Sequence, residues 1–273
     1  YVTDASVSVT GNTFTGHTVG ILSGGSRNVT ISGNTFTPAS GSSFAHIRVN
    51  SAFASSTGNY IQNGIAINSN TFNQFSANGT AIELMNGNAG ASGQPTPEFS
   101  SVVVGANNSS RNSFVNGLQK FITMNNGFNT DVDARENLYG TTGNSPAHFT
   151  SLTTAMLYEV EDKMNHRSDA GSLGHIRFAT GRTFTTQNSF ITGLSTSPSI
   201  QRAIDAASAG DTVYVKQGTY TDNLTLNKAI TLAGDDFVSG LPTTVIDGNS
   251  GSVITATVSA EKTIRNCELK ITN

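Results

Sequence analysis

The chain of 273 residues has no tryptophan, one cysteine and few charged side chains. The single cysteine, Cys267, excludes an internal disulfide framework, and we interpret it as a small apolar residue inside a strand. Charged residues make up 12% of the sequence, with a formal net charge of -3 and no basic run, which argues against nucleic acid as a partner. No stretch approaches the roughly 18 consecutive apolar residues that would span a bilayer, so we expect no membrane span.

Glycine and small polar residues fill most of the chain instead. There are 28 glycines, and Ser, Thr and Asn occur in nearly every segment, whereas hydrophobic residues make up 36%. Ordinary helical globules do not have this composition. Disordered chains usually combine low hydrophobicity with a high net charge, and the net charge here is small. The composition therefore favours a repetitive β-architecture.

A short motif recurs five times along the first half of the chain: an asparagine followed two residues later by an aromatic side chain. The five pairs are Asn12 with Phe14, Asn34 with Phe36, Asn70 with Phe72, Asn112 with Phe114, and Asn137 with Tyr139. Successive asparagines are separated by 22, 36, 42 and 25 residues, and the two shortest separations match one turn of a solenoid. The longer separations predict protruding loops at 52–62 and 87–99, where Gly, Ser, Asn and Pro interrupt the alternation.

The strands of such a solenoid can be read on both sides of the motif. In four copies, apolar residues stand seven and five positions before the aromatic, while Val102–Val104 precede the Asn112 copy at a greater distance. A second alternating run follows the motif at 18–22, 44–49, 80–84 and 120–124. Each period therefore holds at least two strands, and stacking the periods about 4.8 Å apart places like residues on one another.

This stacking assigns structural roles to the motif residues. Asparagine tolerates the left-handed turn conformation, and its amide can hydrogen-bond to the next asparagine along the stack. We therefore interpret Asn12, Asn34, Asn70 and Asn137 as a turn ladder rather than a ligand site. The aromatic core anchors are Phe14, Phe36, Phe72, Phe114 and Tyr139. The fold class predicted for residues 1–140 is all-β, namely a parallel β-helix.

The repeats stop after Tyr139. A four-residue spacing of apolar side chains predicts a short helix over 150–166, and two alternating segments around Thr180 and Gly181 predict a hairpin over 175–186. We interpret residues 141–198 as a small helix and hairpin cap or connector, since a solenoid end otherwise exposes apolar side chains and strand edges.

Residues 199–220, followed by 223–232, resemble the N-terminal cap of the right-handed pectin-lyase-like β-helix superfamily. The resemblance implies an amphipathic helix that begins after Ser199 and buries Ile200, Ala203, Ile204 and Ala207. It also implies that residues 199–273 begin a second β-helix, whereas 1–140 are similar to the later coils of a first. The upstream repeats resemble those of bacterial and archaeal surface proteins of the same superfamily.

The superfamily includes polysaccharide lyases and hydrolases, so catalytic groups have to be weighed. The fragment Gly16-His17-Thr18-Val19-Gly20 resembles the Gly-His-Gly element of polygalacturonases, but their paired aspartates and Asn-Thr-Asp element are missing. We interpret His17 as a strand-edge histidine, with catalysis as the alternative.

Lyase chemistry would instead need several carboxylates around calcium and a basic residue that takes the sugar proton. The candidate carboxylates are Asp131, Asp133, Asp235, Asp236 and Asp247. Solvated strand and turn positions explain them, and a structural calcium ion is kept as an alternative. We expect no other cofactor and no zinc.

These features together predict an extracellular or cell-surface segment with a structural or adhesive role. The order of a late and then an early β-helix part favours copies of the chain stacking head to tail into a stalk, filament or surface array. Exposed Asn, Ser and Thr also suit contact with a polysaccharide or another glycan. The alternative is a polysaccharide-active enzyme.

Overall fold

A computed structural model describes residues 6–24, 28–39, 44–50, 61–62, 64–74, 79–85, 98–99, 102–125, 127–236, 238–248, 250–257 and 260–271. Contacts divide the chain into two compact units. Unit 1 is Tyr1–Met164 with Ser172–Phe178, and unit 2 is Asn165–Gly171 with Ala179–Asn273. The segment 141–198, predicted as one connector, is thus divided between both units.

Short strands make up most of the described part of unit 1. They are β1 (Val7–Thr10), β2 (Thr13–Thr15), β3 (Val19–Gly24), β4 (Val29–Ser32), β5 (Thr35–Thr37), β6 (Phe44–Asn50), β7 (Ile61–Gln62), β8 (Ile65–Asn68), β9 (Thr71–Phe72), β10 (Gly79–Met85), β11 (Glu98–Phe99), β12 (Val102–Val104), β13 (Ser113–Phe114), β14 (Lys120–Asn125), β15 (Val132–Asp133), β16 (Leu138–Thr141), β17 (Asn144–His148), β18 (Met164–Asn165) and β19 (Ile176–Arg177). A 3₁₀ turn, Phe149–Ser151, and the helix α1, Thr154–Glu161, lie between β17 and β18.

The strands of unit 1 form three main sheets that the chain visits in turn. Their orders are β1-β4-β8-β12-β15-β19, β2-β5-β9-β13-β16-β17 and β3-β6-β10-β14-β18. We call one strand from each sheet, taken in chain order, a rung; the first rung is β1, β2 and β3. Neighbouring rungs pair in parallel, for example Val9 with Ile31 and Ile31 with Ile67. The predicted all-β fold with stacked parallel sheets is confirmed.

Like residues stack in this register and fill the core. Ile31 and Ile67 are fully buried, whereas Val9, in the first rung, is half-buried. The third strand of each rung follows the same rule, since Ile21 pairs with Ile47, Ile47 with Ile82, and Ile82 with Ile122. The runs predicted at 18–22, 44–49, 80–84 and 120–124 correspond to β3, β6, β10 and β14.

Between the first two strands of a rung, the chain turns at a residue whose backbone has a left-handed conformation. Gly11 and Gly33 have φ of +70° and +67°, a region that glycine enters without steric cost, and Ser69 takes the same place in the third rung with φ of +54°. In these three rungs the residue before the asparagine adopts this conformation, and the prediction that the asparagine itself does so is wrong. The asparagine side chain is thereby left to bond along the stack.

Of two local predictions for the region after the repeats, the helix forms over a shorter range and the hairpin is wrong. The helix α1 covers Thr154–Glu161 only, because Phe149–Ser151 forms a separate 3₁₀ turn and Thr153 caps α1 by accepting the Met156 N–H. The hairpin over 175–186 does not form: β19 pairs in parallel with β15, while Arg182–Thr185 pairs in parallel with a strand of unit 2. The antiparallel pair is β16 with β17.

Unit 2 also consists of short strands that pair in parallel, together with one short helix. Its elements are β20 (Arg182–Thr185), α2 (Ile200–Ala206), β21 (Thr212–Val215), β22 (Gly218–Thr221), β23 (Leu224–Leu226), β24 (Thr231–Gly234), β25 (Thr244–Gly248), β26 (Ile254–Ala256), β27 (Thr263–Arg265) and β28 (Cys267–Ile271). The sheets run β20-β21-β24-β27, β22-β25-β28 and β23-β26. Helix α2 buries Ile200, Ala203 and Ile204 against the core strands of this unit, as predicted.

The start of α2 is stabilised by a carboxylate rather than by the predicted cap side chain. Ser199 stands at the N-cap but makes no capping bond with its side chain. Asp222 Oδ2 accepts the Ile200 N–H at 2.5 Å, and Ser199 Oγ donates to Asp222 Oδ1 at 3.2 Å. A negative charge at this position also suits the helix dipole.

The loops predicted at 52–62 and 87–99 lie almost wholly outside the described residues. Their last two positions in each case form β7 and β11, which pair with each other in parallel. These two short strands therefore repeat the stacking seen in the three main sheets.

We predict that Phe36→Ala lowers the free energy of unfolding by about 3–5 kcal/mol, because it opens a cavity in a closely packed stack. Phe36 is 0% exposed between Phe14 and Phe72. Phe14→Ala, at a half-buried position, is the control and should cost less. Urea denaturation followed by circular dichroism measures both, and a loss below about 1 kcal/mol for Phe36→Ala would contradict this packing.

Candidate functional site

A ladder of asparagine side chains runs through unit 1 at the corner between the first two strands of each rung. The amide Nδ2 of each asparagine donates to Oδ1 of the next one. The distances are 3.2 Å from Asn12 to Asn34, 3.0 Å from Asn34 to Asn70, 3.0 Å from Asn70 to Asn112 and 2.9 Å from Asn112 to Asn137. The backbone N–H of each asparagine donates to the same Oδ1, at 2.9 to 3.1 Å. Each Oδ1 therefore accepts two hydrogen bonds from the preceding rung.

From Asn34 onwards, the second hydrogen of each amide bonds to the backbone of the preceding rung. Asn34 Nδ2 donates to Val9 O at 2.8 Å, and Asn70 Nδ2 donates to Ile31 O at 2.9 Å. An interior carboxamide such as that of Asn70, which is 1% exposed, thus has all four of its hydrogen bonds. Removing one such side chain would leave several buried groups unsatisfied, at about 1–3 kcal/mol each.

The aromatic anchors form a second column beside the ladder. Phe14 and Phe36 stack with ring centroids 4.9 Å apart, and Phe36 and Phe72 follow at 5.3 Å. Phe114 continues the column at 5.0 Å from Phe72, and Tyr139 at 5.5 Å from Phe114. Such offset stacks add to the burial energy of the rings. The predicted ladder and anchor residues are therefore adjacent and share one structural role.

His17, the candidate catalytic residue, pairs with a second histidine that the sequence did not reveal. His17 Nε2 lies 2.9 Å from His46 Nδ1, and His46 Nε2 lies 2.9 Å from Asn73 O. His46 is 0% exposed and packs against three aromatic rings, those of Phe36, Phe44 and Phe72. His46 lies on β6, and the pair packs against the aromatic column.

These contacts fix the tautomers of both rings. Asn73 O can only accept, so His46 carries its proton on Nε2 and accepts on Nδ1. His17 must then donate from Nε2, which leaves its Nδ1 as a lone-pair site with no partner among the described residues. The result is a directed chain from His17 through His46 to the Asn73 carbonyl.

Burial keeps this pair neutral. Desolvation lowers the pKa of His46 to about 3, helped by the proximity of His17, while the hydrogen bond to Asn73 opposes the shift. Desolvation also lowers the pKa of His17. In the part of the chain that the structure describes, no carboxylate makes an ion pair or hydrogen bond with either ring. The pair can hold the β2–β3 corner against β6, but acid-base catalysis would require a partner that these residues do not provide.

The two predicted carboxylates of unit 1 bond to protein groups. Asp133 accepts from Arg135 Nε at 2.9 Å, and this hydrogen bond lowers the pKa of Asp133. Asp131 Oδ1 accepts the His175 N–H at 2.8 Å, and its Oδ2 lies 4.0 Å from Arg177. Both carboxylates therefore face basic side chains or backbone donors rather than each other.

Two of the three candidate carboxylates of unit 2, Asp235 and Asp247, also have protein partners nearby. Asp235 accepts the Asp236 and Gln217 N–H groups at 3.1 and 3.3 Å, and Asp247 lies 3.6 Å from Lys270 Nζ. Across the described ranges, no three His, Cys, Asp or Glu side chains are grouped as a metal ion would require. The structure thus does not bring the calcium candidates together.

The sequence-based assignment did not include two residues of the site. Asn112 belongs to the ladder, and its motif with Phe114 was visible, but extra polar residues separate it from its strand. His46 had no local signal, because it meets His17 only through the pairing of β3 with β6. Only the register between rungs could have identified it.

Comparisons with protein-family models, with curated proteins and with solved structures give no match for this chain. Within the described ranges, no helix has both the length and the apolar character needed to cross a membrane.

We predict that protonation destabilises the chain through His46. The unfolded histidine titrates near 6.5 and the folded one at about 3, so stability present above pH 6.5 is lost as the pH falls towards 3. Between pH 7 and pH 5 the loss should be about 1–2 kcal/mol greater than in His46→Gln, which can still donate to Asn73 O. Urea midpoints at both pH values measure this, and equal pH dependence in the two proteins would refute it.

Proposed function

We propose that this chain is a structural or adhesive segment of an extracellular or cell-surface protein, built as a right-handed parallel β-helix. The observation that carries the proposal is the unbroken ladder from Asn12 to Asn137. Its side chains hydrogen-bond each rung to the next. The segment would act as a stiff spacer that extends by stacking head to tail on copies of itself.

The order of the sheets supports the β-helix. The chain passes from the first sheet to the second and the third in every rung, and then returns to the first in parallel. Parallel connections of this kind are right-handed in almost all proteins. Helix α2, with its apolar face against the core of unit 2, matches the cap expected from the pectin-lyase-like resemblance.

The distribution of polar groups favours a scaffold over an enzyme. The side chains of the buried asparagines and of His46 bond to neighbouring rungs, and the carboxylates of Asp131 and Asp133 bond to backbone or basic groups. A polysaccharide hydrolase would need two carboxyl groups at a set separation across a groove. The proposal therefore assigns these side chains to stability.

Columns of hydroxyl groups on the strands supply the adhesive part of the proposal. Thr13, Thr35, Thr71 and Ser113 pair in register along the second sheet, and Ser8 pairs with Thr30 on the first. Ser8, Thr13 and Thr30 are exposed. Such columns can hydrogen-bond to water or to the hydroxyl groups of a glycan.

Apolar side chains at the strand edges support stacking between copies. On β28 of unit 2, Leu269 and Ile271 are 47% and 49% exposed, although Leu269 pairs with the fully buried Ile246. Val9 and Phe14 in the first rung of unit 1 are half-buried. Edge strands with apolar side chains seek partners, and a contact between unlike faces that does not close a ring gives an open fibre.

We predict that the purified chain forms linear assemblies as its concentration rises, visible by light scattering and electron microscopy. Leu269→Lys should abolish the assembly, because a charge would replace an apolar contact at the junction. Glu268→Lys is the matched control, since this exposed residue is adjacent on the same strand, and it should still assemble.

Two results would count against the proposal. One is a monodisperse monomer at every concentration, with Leu269→Lys behaving like the unaltered chain. The other is steady release of unsaturated or reducing ends from pectate, polygalacturonate or alginate that is lost in His17→Ala, which would favour the polysaccharide-active enzyme.

A further inference from the structure

The outward side of the first two sheets has an unusual composition in the first three rungs. Side chains alternate along a strand, so the neighbours of each buried Val, Ile or Phe point away from the core. In the described strands of these rungs, none of the outward side chains is charged or aromatic. The outward residues are Ser8, Thr10, Thr13, Thr15, Thr30, Ser32, Thr35, Thr37, Ala66, Asn68, Thr71 and Asn73.

Threonine is the residue that repeats on the second sheet. Thr13, Thr35 and Thr71 pair in register, and Thr15 pairs with Thr37. Their side chains are therefore roughly 4.8 Å apart between rungs and roughly 6.6 Å apart along a strand, which is twice the rise per residue. A β-branched side chain is restricted at χ1, so the methyl and hydroxyl groups are held in place before any partner binds. Thr35, Thr37 and Thr71 are partly exposed although each has a rung on both sides.

The strands that carry these threonines are only slightly rotated against one another. The ring planes of Phe14 and Phe36 differ by 7°, those of Phe36 and Phe72 by 16°, and those of Phe72 and Phe114 by 17°. Neighbouring strands are usually rotated by about 20–25°, and flat sheets are typically held by stacking or by side-chain ladders. The aromatic column and the asparagine ladder supply both, so the threonines lie on a flat and rigid face.

These properties restrict the kind of partner that the face can accept. A charged glycan would need basic side chains, and a sugar ring packs best against an aromatic side chain, which buries a large area. The face offers neither. An ice surface is neutral, flat and regular, and two of the distances at which its oxygen atoms repeat are close to the two spacings of the threonine array. Because the array is ordered in advance, adsorption to such a lattice costs little conformational entropy.

We infer that the threonine face, defined by Thr13, Thr15, Thr35, Thr37 and Thr71, adsorbs to ice. The hydroxyl groups would take the places of water oxygens at the crystal surface, and the methyl groups would lie between them. Adsorbed chains would oppose growth of the crystal between them. The inference goes beyond the proposed scaffold role and does not rest on it, because the face belongs to a single copy of the chain.

Slow growth of ice from a dilute solution of the full chain tests the inference, since a protein that does not bind ice stays in the liquid. We expect the chain to be enriched in the ice fraction relative to serum albumin added to the same solution. Thr35→Lys puts a charge and a long side chain in the centre of the array. It should reduce the enrichment at least about tenfold, which corresponds to about 1.4 kcal/mol of binding free energy.

Thr71→Lys is a second variant of the same array and should have the same effect, so the test does not depend on the folding of one variant. Thr219→Lys is the matched control, because it makes the same exchange at an exposed strand threonine of unit 2 and should leave the enrichment unchanged. Circular dichroism and urea midpoints show whether each variant is folded.

Three results would overturn the inference: no enrichment over albumin, equal enrichment of the folded Thr35→Lys and Thr71→Lys variants and the unaltered chain, or an equal loss in Thr219→Lys. Binding to chitin or cellulose without enrichment in ice would also overturn it and would leave the hydroxyl columns to a glycan. Failure of the proposed function is distinguishable from these results. The Leu269→Lys variant, which should not assemble, should still be enriched in ice.

Discussion

The fold depends on one constraint: a carboxamide buried at the corner of a rung must find four hydrogen-bonding partners. Asn34, Asn70 and Asn112 satisfy it by bonding only to the rungs on either side. A shift of the register by one residue would bury these groups without partners, which is more costly than the loss of one apolar contact. The ladder therefore sets the register, and the aromatic column and the apolar strands follow from it.

The same constraint explains why the repeats differ so much in length. A rung needs its asparagine, the aromatic two residues later and short strands on each side, while the connection to the next rung is free to vary. Successive ladder residues are accordingly 22 to 42 residues apart, yet the Nδ2 to Oδ1 distances stay within 2.9 to 3.2 Å. Long connections cost little extra entropy once their ends are held. Such a stack suits a stiff spacer.

The sequence predicted what is local and missed what depends on register. The asparagine and aromatic positions were readable because their spacing is strict, and α2 was expected from the resemblance of residues 199–220 to a β-helix cap. His46 was not, because its partner His17 lies 29 residues away and meets it only across paired strands. The hairpin at Thr180 and Gly181 failed for a related reason. A glycine turn indicates a change of direction, but it does not determine which strand the next one pairs with.

Hydrogen exchange of the asparagine side-chain amides tests the ladder most directly. The Nδ2 hydrogens of Asn34, Asn70, Asn112 and Asn137 bond to buried acceptors, so we predict strong protection that disappears together as unit 1 unfolds. Asn12, which is exposed, should exchange faster than the other four. Rapid exchange of all five side chains alike would contradict the ladder and, with it, the register of the whole stack.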